Sequence, residues 1–316
     1  MKNLTSLSLL MVMLIAACGG PASTSAPTGS PGPAPTGTGG PPETPAPTDP
    51  ALPSPTPTPL GEGISHPTSP EEIILQYEVG GGFVPMEFFI TQTPQFSLYG
   101  DGTVIWRPQE QQARIGLPGA SLPQLLQGQM DEDAIQALLR FALGQGRLAG
   151  AREQYTQDTC ADCPTTLFRI NADGMAKLVS IDALGEVNEG PDALDRNGFA
   201  LLADTLMNFD EQARNGVAGE VVVYDPSHYR VVLSQAQPEM GEFAAWPWPE
   251  LTLNDFEEWD AGWQRRAVLT RDQVGAIAEV PSGGTASLMY EDPGGEPWTI
   301  GVRPLLPDEI ATADGA

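Results

Sequence analysis

Any chemistry this chain performs has to come from a small set of groups. Of its 316 residues only His66 and His228 are histidines, only Lys2 and Lys177 are lysines, and three are cysteines. Serine acyl transfer needs an activated nucleophile beside a base. Neither a G-x-S-x-G turn nor an S-x-x-K pair is present, because Gly174 stands three positions before Lys177. Asp225, Ser227 and His228 are neighbours, but Pro226 makes that cluster read as a turn and not as a triad.

Cys160-Ala161-Asp162-Cys163 has a spacing that permits a small disulfide, a redox dithiol or half of a zinc site. A redox pair wants its first cysteine at a helix N-terminus. Here the pair runs into Pro164 and a predicted strand, with Asp158 and Asp162 disfavouring a thiolate. Zinc would need two more ligands, and His66 lies in a proline-rich stretch. Carboxylates are too numerous, at 41, for spacing to pick out a glycosidase pair. The acidic turns Asp158–Asp162 and Asp255–Asp260 offer oxygen ligands without the spacing of a calcium loop. No metal or cofactor is therefore expected, and no catalytic residue is assigned. The most unusual local feature is aromatic: Trp246-Pro247-Trp248-Pro249, followed by Trp259 and Trp263. These rings either cap a core or leave an indole exposed for stacking on a glycan or capturing a protein, so all four are candidate binding residues.

The N-terminus bears on compartment. Lys2 precedes an apolar stretch, Leu4 to Ala17, too short to span a bilayer stably. It closes in Leu14-Ile15-Ala16-Ala17-Cys18, which resembles the lipobox of bacterial lipoproteins. That resemblance implies lipidation of Cys18 and anchoring on the outer face of a membrane, where two or more acyl chains hold stably. The alternatives are an ordinary cleaved signal and a retained helix. With Cys18 lipidated, Cys160 and Cys163 are left as one pair, and in an exported protein their default is a disulfide.

Residues 19–70 hold half of the chain's 32 prolines, among Thr, Ser, Ala and Gly. Such a segment cannot bury a core and reads as a disordered tether, with the plain role of a spacer. The formal charge of −26 argues against nucleic acid, whose phosphates need clustered Lys and Arg, and keeps the folded part off anionic headgroups.

From Glu71 the pattern becomes strands and short helices. Ile73–Tyr77 and Glu87–Ile90 read as strands broken by Gly80-Gly81-Gly82. Gly100-Asp101-Gly102 and Ala172-Asp173-Gly174 mark hairpins. Asp131 caps a helix with Ile135, Leu138, Leu139 and Leu143 on one face, and Asn197 caps another, with Phe199, Leu202, Leu206 and Phe209. Val221–Tyr224 and Tyr229–Ser234 are predicted strands. Thr270 and Gln273 form a capping box, and a hairpin turns at Pro293-Gly294-Gly295. The expected fold is α+β: antiparallel sheets with helices packed on one face; the two capped helices, each followed by a hairpin, read either as two copies of a strand–helix–hairpin unit or as a chance similarity between short helices. The boundaries run 1–18 signal and lipidated Cys18, 19–70 tether, 71–216 first unit, 217–307 second unit and 308–316 loose tail.

The span from Tyr77 to Trp106, with Gly80-Gly81-Gly82-Phe83 and Leu98-Tyr99-Gly100-Asp101-Gly102, is similar to that of uncharacterised exported bacterial lipoproteins. Asp162-Cys163-Pro164-Thr165-Thr166 fits the same resemblance, which carries no activity with it. The function expected is a membrane-anchored, non-catalytic module of the cell envelope binding a protein or glycan. The alternative is an envelope hydrolase using paired carboxylates, assisted by calcium.

Overall fold

The computed structural model describes residues 63–82, 91–108, 124–157, 160–186, 190–237, 243–259, 263–277 and 285–314. Cys18, the segment 19–62 and the expected strand Glu87–Ile90 lie outside them. Residues 63–70, assigned above to the tether, are packed. Ile64 sits against the core, exchanges two 2.8 Å hydrogen bonds with the Gln136 side chain, and is followed by Ser65, whose carbonyl accepts from Asp173 N–H. One apolar residue with its backbone polar groups satisfied suffices to end the tether earlier than composition suggests.

The fold is α+β, with two largely antiparallel sheets. The first is built from β1 (Ile73–Gly81), β2 (Phe96–Tyr99), β3 (Thr103–Trp106), β4 (Leu126–Gln129), β5 (Gln154–Tyr155), β6 (Pro164–Ala172), β7 (Met175–Asp182) and β8 (Val222–Val223), in the spatial order β5-β7-β6-β1-β2-β3-β4-β8. The β2–β3 turn needs Gly102, at φ +89°, because a Cβ there would collide with the Met130 carbonyl. In β6–β7 both Asp173 and Gly174 have positive φ, the conformation that matches a two-residue turn to strand twist. Contrary to expectation, β1 runs on through Gly80 and Gly81, which pair with Thr165 and Pro164. The β6 ladder supplies the order that the glycines lack.

Helix α1 (Glu132–Leu143) starts at Asp131, whose carboxylate accepts from Ala134 N–H at 2.8 Å. Its apolar face joins α2 (Ala193–Met207) and α3 (Phe209–Arg214) on one face of the first sheet. There Phe209 meets Phe96 and Trp106 edge-on. The second helix begins four residues before the expected Asn197 cap. What fixes its start is Arg196, buried in the first turn and donating to the carbonyls of Asp182, Tyr155 and Thr156.

The second sheet contains β9 (His228–Gln235), β10 (Ala244–Ala245), β11 (Glu257–Trp259), β12 (Gln264–Thr270), β13 (Thr285–Glu291) and β14 (Pro297–Pro304), ordered β10-β13-β14-β9-β12-β11. Helix α4 (Arg271–Val274) follows β12 with the Thr270/Gln273 capping box formed. Tyr229, Val231, Leu233, Leu269, Ile300 and Val302 face a core closed by Trp248 and Phe256. A strand, a helix and a hairpin follow one another in both halves, β4-α1-β6-β7 and β12-α4-β13-β14. The hairpins dock differently: β6, the first strand of its pair, lies beside β1, whereas β14, the second strand, lies beside β9.

Two boundaries differ from the sequence reading. Val222 and Val223 pair with β4 and Tyr224 N–H donates to Leu125 O, so the stretch predicted to open the second unit completes the first sheet. The expected loose tail from 308 is helical: α5 (Pro307–Asp314) touches both sheets. Leu306 joins Ile73, Tyr99, Ile105, Leu125 and Tyr224 in one buried cluster. Tyr99 Oη donates to Asp308 at 2.7 Å, and the Arg303 guanidinium holds Glu309 with two hydrogen bonds of 2.8 and 2.5 Å.

Burial pushes the Glu309 carboxyl up, but hydrogen bonds and charge from Arg303, the Leu306 N–H and the Arg230 charge outweigh it and hold the group below its ordinary value. A carboxyl depressed in the folded state stabilises fully above its unfolded pKa, about 4.3, and progressively less as pH falls toward the folded value. Glu309→Gln is expected to lower stability by about 3 kcal/mol at pH 7, with the difference from the parent chain shrinking below about pH 4. Urea melts across pH measure it; an equal difference at pH 7 and pH 3 would contradict the assignment.

Candidate functional site

The groups with catalytic potential are largely absorbed by structure. Cys160 and Cys163 are joined as a disulfide, with Cα atoms 5.6 Å apart. Lys177 Nζ donates to the carbonyls of Leu148, Ala149 and Ala151, capping a short 3-10 turn. Asp225 is paired with Arg271, so the contact of His228 Nδ1 with Ser227 Oγ, 3.0 Å, has no acid from Asp225 to orient the ring. His66 rests on Glu132 at 3.3 Å. Asp255 accepts from Thr252 N–H and Oγ1, which makes it a turn cap; Asp158 and Asp260 lie outside the described residues. Among the described residues no group of three or more His, Cys, Asp or Glu is placed to hold a metal.

The four tryptophans separate into two pairs. Trp248 is fully buried and donates to Gln273 O at 2.8 Å. Trp246 packs edge-on against it and donates to Leu251 O. These two close the second core, and the expectation that they form a binding face is corrected: each indole N–H finds a partner inside, so the rings can be buried. Trp259 and Trp263, flanking the β11–β12 turn, are 37% and 69% exposed.

Cross-strand register then assembles a surface around that hairpin. Glu257 pairs with Arg266, Trp259 with Gln264 and Arg230 with Val268, so these six side chains share one face of the second sheet. Together with Glu309 and Thr312 of α5, Arg230, Glu257, Arg266 and Val268 line a cleft of about 250 Å³. Arg266 donates from Nε to Glu257 at 3.1 Å and lies 5.5 Å from the Trp259 ring centre. Among the described residues its two Nη groups have no hydrogen-bond partner. Arg230 Nη1 is 3.5 Å from Glu309. Burial, the neighbouring Arg303 charge and Arg266 lower the Arg230 pKa, against Glu309. The cleft thus presents donors and acceptors with two charges of each sign.

A second opening, about 520 Å³, is lined by Glu71, Glu72, Arg169, Lys177 and Asp308 among others. Asp308 is held above its ordinary value, chiefly by burial, despite the Tyr99 hydrogen bond and with Glu309 adding to the rise. Glu78 is also raised by burial, against the charge of Arg303 and with that of Glu309. Beside it Arg107, fully buried, is lowered to about 10 by desolvation; it donates to Thr93, while among the described residues its Nε has no partner.

Comparison with protein-family models, with curated proteins and with solved structures finds no match for this chain. Trp259 and Trp263 were visible in the sequence as candidates; Arg230, Arg266, Glu257 and Glu309 were not. The alternation of polar with apolar residues in His228-Tyr229-Arg230-Val231 places Arg230 off the core, but which strands lie beside it is a long-range fact. Truncating Trp248 to Ala should cost about 4 kcal/mol, whereas Trp263→Ala should fall within about 0.5 kcal/mol of the parent. Denaturant melts of the two variants would check this, and equal losses would place Trp263 in the core.

Proposed function

We propose that this chain is a membrane-anchored extracytoplasmic lipoprotein whose folded part is a non-catalytic binding module of the cell envelope. The observation that carries the reading is the commitment of the reactive side chains. Lys177 caps a turn, Cys160 and Cys163 are joined, and Asp225 is held by Arg271, while Trp259 and Trp263 are left exposed at the β11–β12 hairpin. The disulfide suits an oxidising compartment. Among the described residues no helix is long and apolar enough to cross a membrane, and attachment in this reading comes from acyl chains on Cys18. Replacing Cys18 by Ser should release the protein from membrane fractions and abolish incorporation of a fatty-acid probe. Retention with undiminished labelling would defeat the anchor.

One observation favours a hydrolase instead. Asp308, a carboxyl held high, lines the larger cleft with Glu71 and Glu72, an arrangement from which a general acid and a base could be drawn. The bond from Tyr99 and its place at the start of α5 give Asp308 a structural role that makes this the second reading. A screen of chromogenic glycosides and esters against the full chain and Asp308→Asn decides between them. Turnover by the parent that disappears in the variant, with the melting temperature retained, would establish the hydrolase; no turnover by either is expected.

A further inference from the structure

We infer that Arg230 and Arg266, on the face of the second sheet turned away from its core, form a site for a tetrahedral oxyanion: free phosphate or the phosphoryl end of a monoester. The inference rests on the binding-module reading and names its ligand class. Register places three arginines together. Arg303 of β14 stands directly opposite Arg230 of β9, and Arg266 of β12 is diagonal to Arg230, whose partner Val268 lies two residues further along. Paired positions share a sheet face, and long side chains reach across the diagonal. Like charges directly opposite one another destabilise a sheet, so these guanidinium groups need counter-charge. Glu309 serves one of them. Its carboxylate accepts bonds of 2.8 and 2.5 Å from Arg303 and one of 3.1 Å from the Leu306 N–H, and stands 3.5 Å from Arg230 Nη1. That distance is beyond the usual range of a hydrogen bond, and among the described residues Arg230 makes none.

Arg266 is held in place and keeps free donors. Its Nε donates to Glu257 at 3.1 Å, and its Cζ lies over the Trp259 ring, 5.5 Å from the centre. An arginine packed on an aromatic ring still presents the donors along its edge, and both Nη groups of Arg266 lack a partner among the described residues. Arg230 and Arg266 both line the cleft of about 250 Å³ that α5 borders with Thr312 and Ala313. This volume is under the range of drug-sized pockets, about 300–1,000 Å³, and suits an ion or one end of a small molecule. Burial, the Arg303 charge and the Arg266 charge disfavour the charged form of Arg230, with Glu309 opposing them. An anion between Arg230 and Arg266 relieves that crowding. The donors select its shape: a carboxylate fills the fork of one arginine, whereas three oxygens on one phosphorus serve two. The chain's charge of −26 opposes anions from afar. Exposed charges are screened over about 8 Å at physiological salt, so the donors in contact decide.

Equilibrium dialysis of the full-length chain in detergent against radiolabelled inorganic phosphate, at constant ionic strength in chloride, tests this. Saturable uptake at a single site is expected, weakened about tenfold or more in both Arg230→Ala and Arg266→Ala, because hydrogen bonds to a charged group contribute that much. Glu257→Gln removes a competing negative charge while keeping an acceptor for Arg266 Nε, and should bind phosphate more tightly. Arg152→Ala, which removes an arginine paired with Asp192 at the start of α2, should bind like the parent. Sulfate should displace the label and acetate should not. Displacement by methyl phosphate as well assigns the phosphoryl end of an ester; sulfate displacement without it assigns the free ion, and either supports the site. No saturable uptake, displacement by acetate as readily as by sulfate, uptake unchanged in either alanine variant, or weaker uptake in Glu257→Gln would each overturn the inference. Melting temperatures read alongside separate a lost site from a lost fold. Fatty-acid labelling keeps the two readings apart: a labelled chain that takes up no phosphate fails here only, and an unlabelled chain that takes it up fails in its anchor only.

Discussion

Two consecutive carboxylates at the start of α5 are turned to different sheets, Asp308 to Tyr99 of the first and Glu309 to Arg303 of the second. Removing a carboxylate from water is expensive unless good partners replace the water. The two positions solve this differently. Glu309 receives a two-pronged guanidinium and its own helix's leading N–H, and stays charged. Asp308 receives one phenol, and burial holds it closer to neutral. With Leu306 set in the apolar cluster just before them, the sheets are joined by a short helix that would have little reason to form alone.

The same economy governs the cations. In a chain so acidic, arginines at the surface would offset charge. Several are instead buried: Arg107, Arg196 and Arg303. Arg196 and Lys177 spread their charge over backbone carbonyls at the ends of irregular segments. Such groups need acceptors wherever a loop turns inward, and a cation with several donors meets that need at one position. Others stay at the surface, among them Arg140, Arg147, Arg152 and Arg169.

Local chemistry was legible in the sequence, and long-range pairing was not. The Asp131 cap, the Thr270/Gln273 box, the Asp173-Gly174 turn and the Gly100–Gly102 turn all depend on a few adjacent residues and stand where the sequence puts them. Val222–Val223 was read as a strand but joined to the wrong sheet, because nothing in its residues names β4 as its partner. Residues 308–314 carry no strong apolar stripe, so their helix depends on contacts with two sheets that periodicity does not see. For Trp246 and Trp248 the flanking prolines left two alternatives open, a cap on the core or an exposed indole. Prolines remove backbone donors, though, and an irregular segment can then lie over a core with its two indole N–H groups bonded inside. The cleft residues were hidden for the same reason as β8: their chemistry is ordinary, and only register brings them together.

The attachment of the first described residues has a mechanical consequence. Ile64 and Ser65 are tied to α1 through Gln136 and to the β6–β7 turn through Asp173. Tension arriving along the N-terminal segment would be taken up by those few hydrogen bonds, on the first sheet and its helices. The hairpin bearing Trp259 and Trp263 belongs to the other sheet. A pull on that sheet would thus load the α5 junction, while shear from the N-terminal side would peel first the residues around Ile64 and Ser65.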